Sequence, residues 1–129
     1  MLHRTLTDKI INAYYNVHRT LGYGFLEKVY ENAMLIELRR LGMEVESQVP
    51  ITVYFEGFEI GRYYADIVVN DLVIIEIKAV SALATVHECQ LVNYLRATNK
   101  EVGLLLNFGE KAEFRRKIFT NDRKPNLSN

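Results

Sequence analysis

At 129 residues, 49% apolar and 25% charged, the chain is long enough for one hydrophobic core and too apolar for a disordered polymer. Its length leads us to expect one domain over 1-129, with no separate recognition domain beside a catalytic one. Lys plus Arg equals Asp plus Glu at 16 each, so the formal charge is zero and nucleic-acid binding would need a local patch. The single cysteine, Cys89, excludes a disulfide framework, a CxxC zinc site and a four-thiolate iron–sulfur site, and it fits a reducing, cytoplasmic setting. No apolar run approaches the ~20 residues of a membrane span, and the N-terminal stretch MLHRTLTDK lacks the apolar core of a signal peptide.

The first element is a helix over Leu6 to Leu21, with Ile10, Ala13, Tyr14, Val17 and Leu21 on one stripe, Thr7 or Asp8 able to cap it and Gly22 ending it. After GYG, the stretch FLEKVYENAMLIELRRLG repeats the helical spacing with Leu26, Val29, Tyr30, Ala33, Met34, Leu38 and Leu41 before Gly42. The period then changes to two. In PITVYFEG, Ile51, Val53 and Phe55 alternate with Thr52, Tyr54 and Glu56, Gly57 supplies a turn, and EIGRYYADIVV resumes the extended pattern. A third strand, LVIIEIK, is β-branched on both faces, as expected of a sheet covered on both sides. TVHECQLVNYLRATN is helical, EVGLLLNFG is a short buried strand ended by Asn107 and Gly109, and EFRRKIF is expected at a sheet edge. The order α-α-β-β-β-α-β-β predicts an α/β (α+β) fold with a mixed central sheet flanked by helices, and residues from about 121 are expected to be flexible. The basic tail, with Lys111, Arg115, Arg116, Lys117, Arg123 and Lys124, is the best candidate patch for a polyanion, although such runs are commonly a solvated face.

Three charges interrupt the most apolar part of the chain: Asp66, Glu76 and Lys78 in YYADIVVNDLVIIEIKAV. Glu76 and Lys78 lie two apart in a strand, so they leave one face. Antiparallel pairing sets Asp66 opposite Glu76 only through a three-residue loop, Asn70 to Leu72; a two-residue Asn70-Asp71 turn would set it opposite Ile75 and move it to the other face. Two carboxylates so close repel, and at least one takes up a proton unless a cation neutralises them. A hard divalent ion such as Mg²⁺, bound by one or two carboxylates plus waters and phosphate oxygens, suits that pair. Lys78 could orient the attacking water or stabilise charge building on phosphorus. Together they predict a metal-assisted phosphodiester hydrolysis site.

Asp66 followed by Glu76-Ile77-Lys78, in a hairpin leading to a helix, resembles the PD-(D/E)xK nuclease superfamily with its restriction-endonuclease-like fold, with Ala-Asp in place of Pro-Asp. GFLEKVY, from Gly24 to Tyr30, reads GxxExxY, and with GLLLNFG it resembles the small bacterial and archaeal group called GxxExxY proteins. QLVNY, with Gln90 and Tyr94 on one helix face and His87 one turn earlier, is similar to the Q-x-x-x-Y arrangement of RecB-like exonucleases. The resemblance covers the chain to about Phe119. It implies a Mg²⁺- or Mn²⁺-dependent nuclease leaving 5′-phosphate and 3′-hydroxyl ends, with nucleic acid, DNA first, as substrate. It further implies Asp66, Glu76, the Ile77 backbone carbonyl and Glu27 at the metal, Lys78 as catalytic cation, and Gln90, Tyr94 and Tyr30 positioning substrate. Gly24 would permit the turn into the second helix, Tyr30 would otherwise fill core, and His87 would otherwise be a polar surface residue. The neutral charge keeps an alternative in view, a non-catalytic nucleic-acid-binding or protein-interaction module on the same fold, and the short chain leaves room for a homodimer or a partner protein.

Overall fold

The computed structural model describes residues 1–124. Helix α1 (Arg4–Leu21) starts earlier than the capping residues suggested: His3 is its N-cap, and Thr7 is buried within the helix with its hydroxyl donating to the Arg4 carbonyl. Ile10, Ala13, Tyr14 and Val17 form the buried stripe, and Gly22, at φ 69°, ends the helix where a side chain would be strained. Helix α2 (Glu27–Arg40) buries Tyr30, Glu31, Met34, Leu35 and Leu38, while Leu26, Val29 and Leu41, expected on its apolar stripe, are exposed. The buried face is therefore turned toward Glu31 and Leu35, and it carries a carboxylate.

Strands β1 (Val45–Phe55) and β2 (Phe58–Val69) form a long hairpin closed by Glu56-Gly57, both at positive φ as a tight two-residue hairpin turn requires. Strand β3 (Val73–Lys78) follows, then helix α3 (Thr85–Arg96), strand β4 (Val102–Phe108) and strand β5 (Ala112–Ile118). The strands lie in chain order, β1-β2-β3-β4-β5, and all neighbours are antiparallel except β3 and β4, which α3 connects in parallel. Helices α1 and α2 cover one face through Ile67, Val69, Val73, Ile75, Ile77 and Leu104. Helix α3 covers the other through Ala65, Val68, Ile74 and Leu105. This is the predicted element order, in three layers.

Strand β5 is one edge of the sheet, and its cations are engaged. Arg115 and Lys117 reach Glu88 of α3, at 3.7 and 2.6 Å, and Arg116 donates to the Leu2 carbonyl. Arg123 lies over the Phe119 ring, and Lys124 donates to the Thr98 and Lys100 carbonyls. Apart from the exposed Lys111, the basic residues of the tail thus tie elements together rather than forming a free cationic face. Asn121–Arg123 forms a short 3-10 turn anchored by Asn121 N–H on Glu101. The flexibility expected from about 121 concerns mainly 125–129, outside the described residues.

Candidate active site

The β2–β3 register pairs Ile67 with Ile75, Val68 with Ile74 and Val69 with Val73, leaving Asn70 to Leu72 as a three-residue loop. Asn70 and Asp71 both adopt left-handed φ, 51° and 57°, which Asn and Asp tolerate best among side-chain-bearing residues. The register required to set Asp66 opposite Glu76 is the one observed.

The two residues do not meet as a regular cross-strand pair, however. The ladder stops at Ile67 and Ile75, while β2 continues on β1. Ile67 packs under α1 and α2, yet Ala65, two residues earlier, packs under α3, so the alternation of the pleat breaks at Asp66. Across the hairpin, Gln48 sits between the paired residues Ser47 and Val49 with φ 53°, an unusual backbone for a residue with a side chain. In the resulting opening, the Asp66 carboxylate accepts from the Ile77 N–H at 2.8 Å, and the Asp66 N–H donates to Glu76 Oε1 at 3.2 Å. Asp66 thus takes the place of the missing strand partner.

Glu76 is 6% exposed. Burial, followed by the charge of Asp66, pushes its carboxyl from the ordinary 4.5 up to about 9; Lys78, half-buried at the end of β3, pulls the other way. Tyr94 of α3 lies near the same pair: burial first, then the charges of Glu76 and Asp66, raise its hydroxyl to about 12, and Gln90 Nε2 donates to that hydroxyl at 2.9 Å. The structure therefore brings Asp66, Glu76, Lys78, Gln90 and Tyr94 to one place.

Two expected members stand apart. Glu27 opens α2, is exposed, and makes no ion pair or side-chain hydrogen bond with the cluster. The carboxylate that reaches the site is Glu31, one turn later and 4% exposed. Gln48 Nε2 donates to both Glu31 oxygens, at 3.0 and 3.2 Å, and lies 3.3 Å from Asp66 Oδ1, while Lys28 pairs with Glu31 at 3.2 Å. Tyr30 is fully buried and clamps the α1–α2 loop instead: its hydroxyl donates to the Gly22 carbonyl and accepts from Phe25 N–H, and its ring stacks on Phe108 at 4.3 Å. Gly24, at φ 108°, supplies the turn in that loop. His87 caps α3, its Nδ1 accepting from Ala84 N–H at 3.0 Å.

Asn107, read from sequence as a strand end, lies within β4 and is fully buried. Its side-chain amide accepts from Val80 N–H at 3.0 Å and donates to the Val80 carbonyl at 2.9 Å, fixing the chain just beyond Lys78. A Cβ at Gly109 would come within 2.5 Å of the Val80 carbonyl, so glycine is needed there too. Asn107→Ala leaves two backbone groups unpaired, and we expect a loss of about 3 kcal/mol in urea unfolding.

At the carboxylate pair the side-chain donors are hard oxygens, those of Asp66 and Glu76. Among the described residues no group of three or more His, Cys, Asp or Glu side chains could hold a metal by itself. Two carboxylates completed by water and phosphate oxygens fit Mg²⁺ or Mn²⁺ and do not fit zinc.

The sheet and its covering helices define a restriction-endonuclease-like fold. The solved crystal structure of SSO0001 is similar, with a TM-score of 0.58 at 18% identity over 72% of this chain and 50% of that chain, a likeness of fold alone. This chain spans half the length of that one. The family model of the PD-(D/E)XK nuclease superfamily matches residues 4–117, and the chain belongs to that superfamily. None of the curated proteins compared matches it. Among the described residues no helix is long and apolar enough to cross a membrane.

Proposed function

We propose that the protein is a Mg²⁺- or Mn²⁺-dependent nuclease that hydrolyses phosphodiester bonds, with DNA as the first substrate to test, and that it stands with the GxxExxY proteins within its superfamily. The observation that carries this reading is the buried Glu76 held against the half-buried Asp66, with Lys78 beside them at a break in the sheet. A fold needing only stability gains nothing from burying one carboxylate against another, since their repulsion and the desolvation of Glu76 oppose folding. In this reading Asp66, Glu76 and the Ile77 carbonyl hold the metal, which when bound lowers the pKa of an attacking water and offsets charge on the phosphate. Lys78 stabilises that charge or orients the water, and Gln90 and Tyr94 position the substrate.

Glu31, rather than Glu27, acts as the supporting carboxylate, through Gln48. Glu31→Gln is expected to lower cleavage by about 10–100-fold, the usual effect of disturbing groups behind metal ligands, and Glu27→Gln to leave it within about twofold. Equal losses in the two variants would restore Glu27 to the site. The whole reading is tested with end-labelled single- and double-stranded DNA and RNA in Mg²⁺, Mn²⁺ or EDTA, beside Glu76→Ala and Lys78→Ala. Metal-dependent products carrying 5′-phosphate, reduced by about 10²-fold or more in both variants, are expected. Equal products from wild type and variants would mean a contaminant and end the reading.

A further inference from the structure

A groove of about 640 Å³ opens next to the site, between α3 and the outer half of the β1–β2 hairpin. Its apolar walls come from Val53 and Ile60 on the hairpin and Val86 on α3; Ile60 and Val86 are 65% and 67% exposed. Tyr63, 48% exposed, has its ring centroid 5.8 Å from that of Tyr94. Besides the Tyr63 and Tyr94 hydroxyls and the Cys89 thiol, the polar groups lining the groove are the amides of Gln90 and Asn93 and the His87 ring, with no carboxylate among the lining residues, and Arg96 is the fixed cation there. That cation is already stacked on Phe119 at 4.9 Å.

Resting on the nuclease reading above, we propose that this groove receives an unpaired nucleobase, so that the protein acts on single-stranded nucleic acid or on single-stranded ends. Apolar walls, an exposed tyrosine ring and side-chain amides match the faces and edges of a base, whereas a phosphodiester backbone would call for several cations. Gln90 and Tyr94 belong both to the groove and to the carboxylate cluster, so a base seated here is joined directly to a phosphate at Asp66, Glu76 and Lys78. A duplex hides base faces in its stack and offers mainly phosphates to the protein. The chain is neutral overall, and the cations of β5 are engaged by Glu88 and the Leu2 and Phe114 carbonyls, so the edge strand offers no free cationic row for a duplex.

The test reads binding and cleavage separately. Fluorescence anisotropy with a short labelled single strand, with the same strand in a duplex, and with a single strand carrying one abasic position is measured for wild type, Tyr63→Ala and Asn93→Asp. Circular dichroism checks folding; Asn93 is exposed, so its variant stays interpretable if Tyr63→Ala unfolds. We expect the single strand to bind about tenfold tighter than the duplex, each variant to lose about tenfold, and an abasic position near the cut to weaken wild type but not further weaken Tyr63→Ala. Equal or tighter binding of duplex, or variants indistinguishable from wild type on single strand, overturns the proposal. A dimer that Tyr63→Ala dissolves, with no single-strand preference, would give the groove to a second copy and overturn it equally. Cleavage sensitive to Glu76→Ala but indifferent to strandedness refutes the groove assignment and keeps the nuclease. Tyr63-dependent single-strand binding without metal-dependent cleavage keeps the groove assignment and refutes the nuclease.

Discussion

In EDTA, Glu76→Gln is expected to be more stable than wild type at pH 8.5 and about equally stable near pH 4.5. Below 4.5 the Glu76 carboxyl is protonated in folded and unfolded chains alike. Between 4.5 and about 9 the unfolded chain releases that proton while burial and the Asp66 charge make the folded chain keep it. Wild-type stability therefore falls as pH rises across this window, with a slope approaching about 1.4 kcal/mol per pH unit from this group, and levels off above it. Gln has no proton to lose, so the difference between the two proteins isolates the slope. Urea unfolding at several pH values checks this; parallel curves would mean that Glu76 is charged and solvated in the folded protein. Because metal binding must displace the same proton, the rise in wild-type Tm on adding Mn²⁺ should grow with pH up to about 9 and be absent in Glu76→Gln.

Lys78→Ala is expected to fold normally, because the side chain is half-buried and forms no salt bridge among the described residues, yet to lose about 10²–10³-fold in kcat. The loss should fall on kcat more than on KM, since charge on phosphorus grows only toward the transition state. Lys78→Arg keeps the charge but replaces a compact ammonium with a planar fork, and should recover only part of the rate. A KM effect of the same size as the kcat effect would instead make Lys78 a substrate-binding residue.

The fold was readable because its signals are periodic. The stripe Ile10-Ala13-Tyr14-Val17 and the β-branched run of β3 each admit one environment. The Asp66–Glu76 register was readable because loop length and side-chain alternation leave few choices. What escaped was set by backbone irregularity. Nothing in a glutamine announces the left-handed φ of Gln48, and the break in alternation at Asp66 follows from contacts across three strands. Glu27 is expected at the metal through its place in the GxxExxY motif, which says nothing of Glu31. Four residues along a helix is a displacement of about 6 Å, enough to separate an exposed first turn from the buried site. Tyr30, in the same motif, serves the loop after α1, and the Asn107 and Gly109 of GLLLNFG hold the chain beyond Lys78. For Glu31 a signal was present, a carboxylate between Tyr30 and Met34 on an otherwise apolar buried face.

The most direct measurement compares cleavage of a labelled single strand by folded, equally pure wild type and Glu76→Gln in Mg²⁺ and in EDTA. We expect product from wild type in Mg²⁺ alone, reduced by about 10³-fold or more in the variant. Product formed at the same rate by both proteins, or unaffected by EDTA, would contradict it.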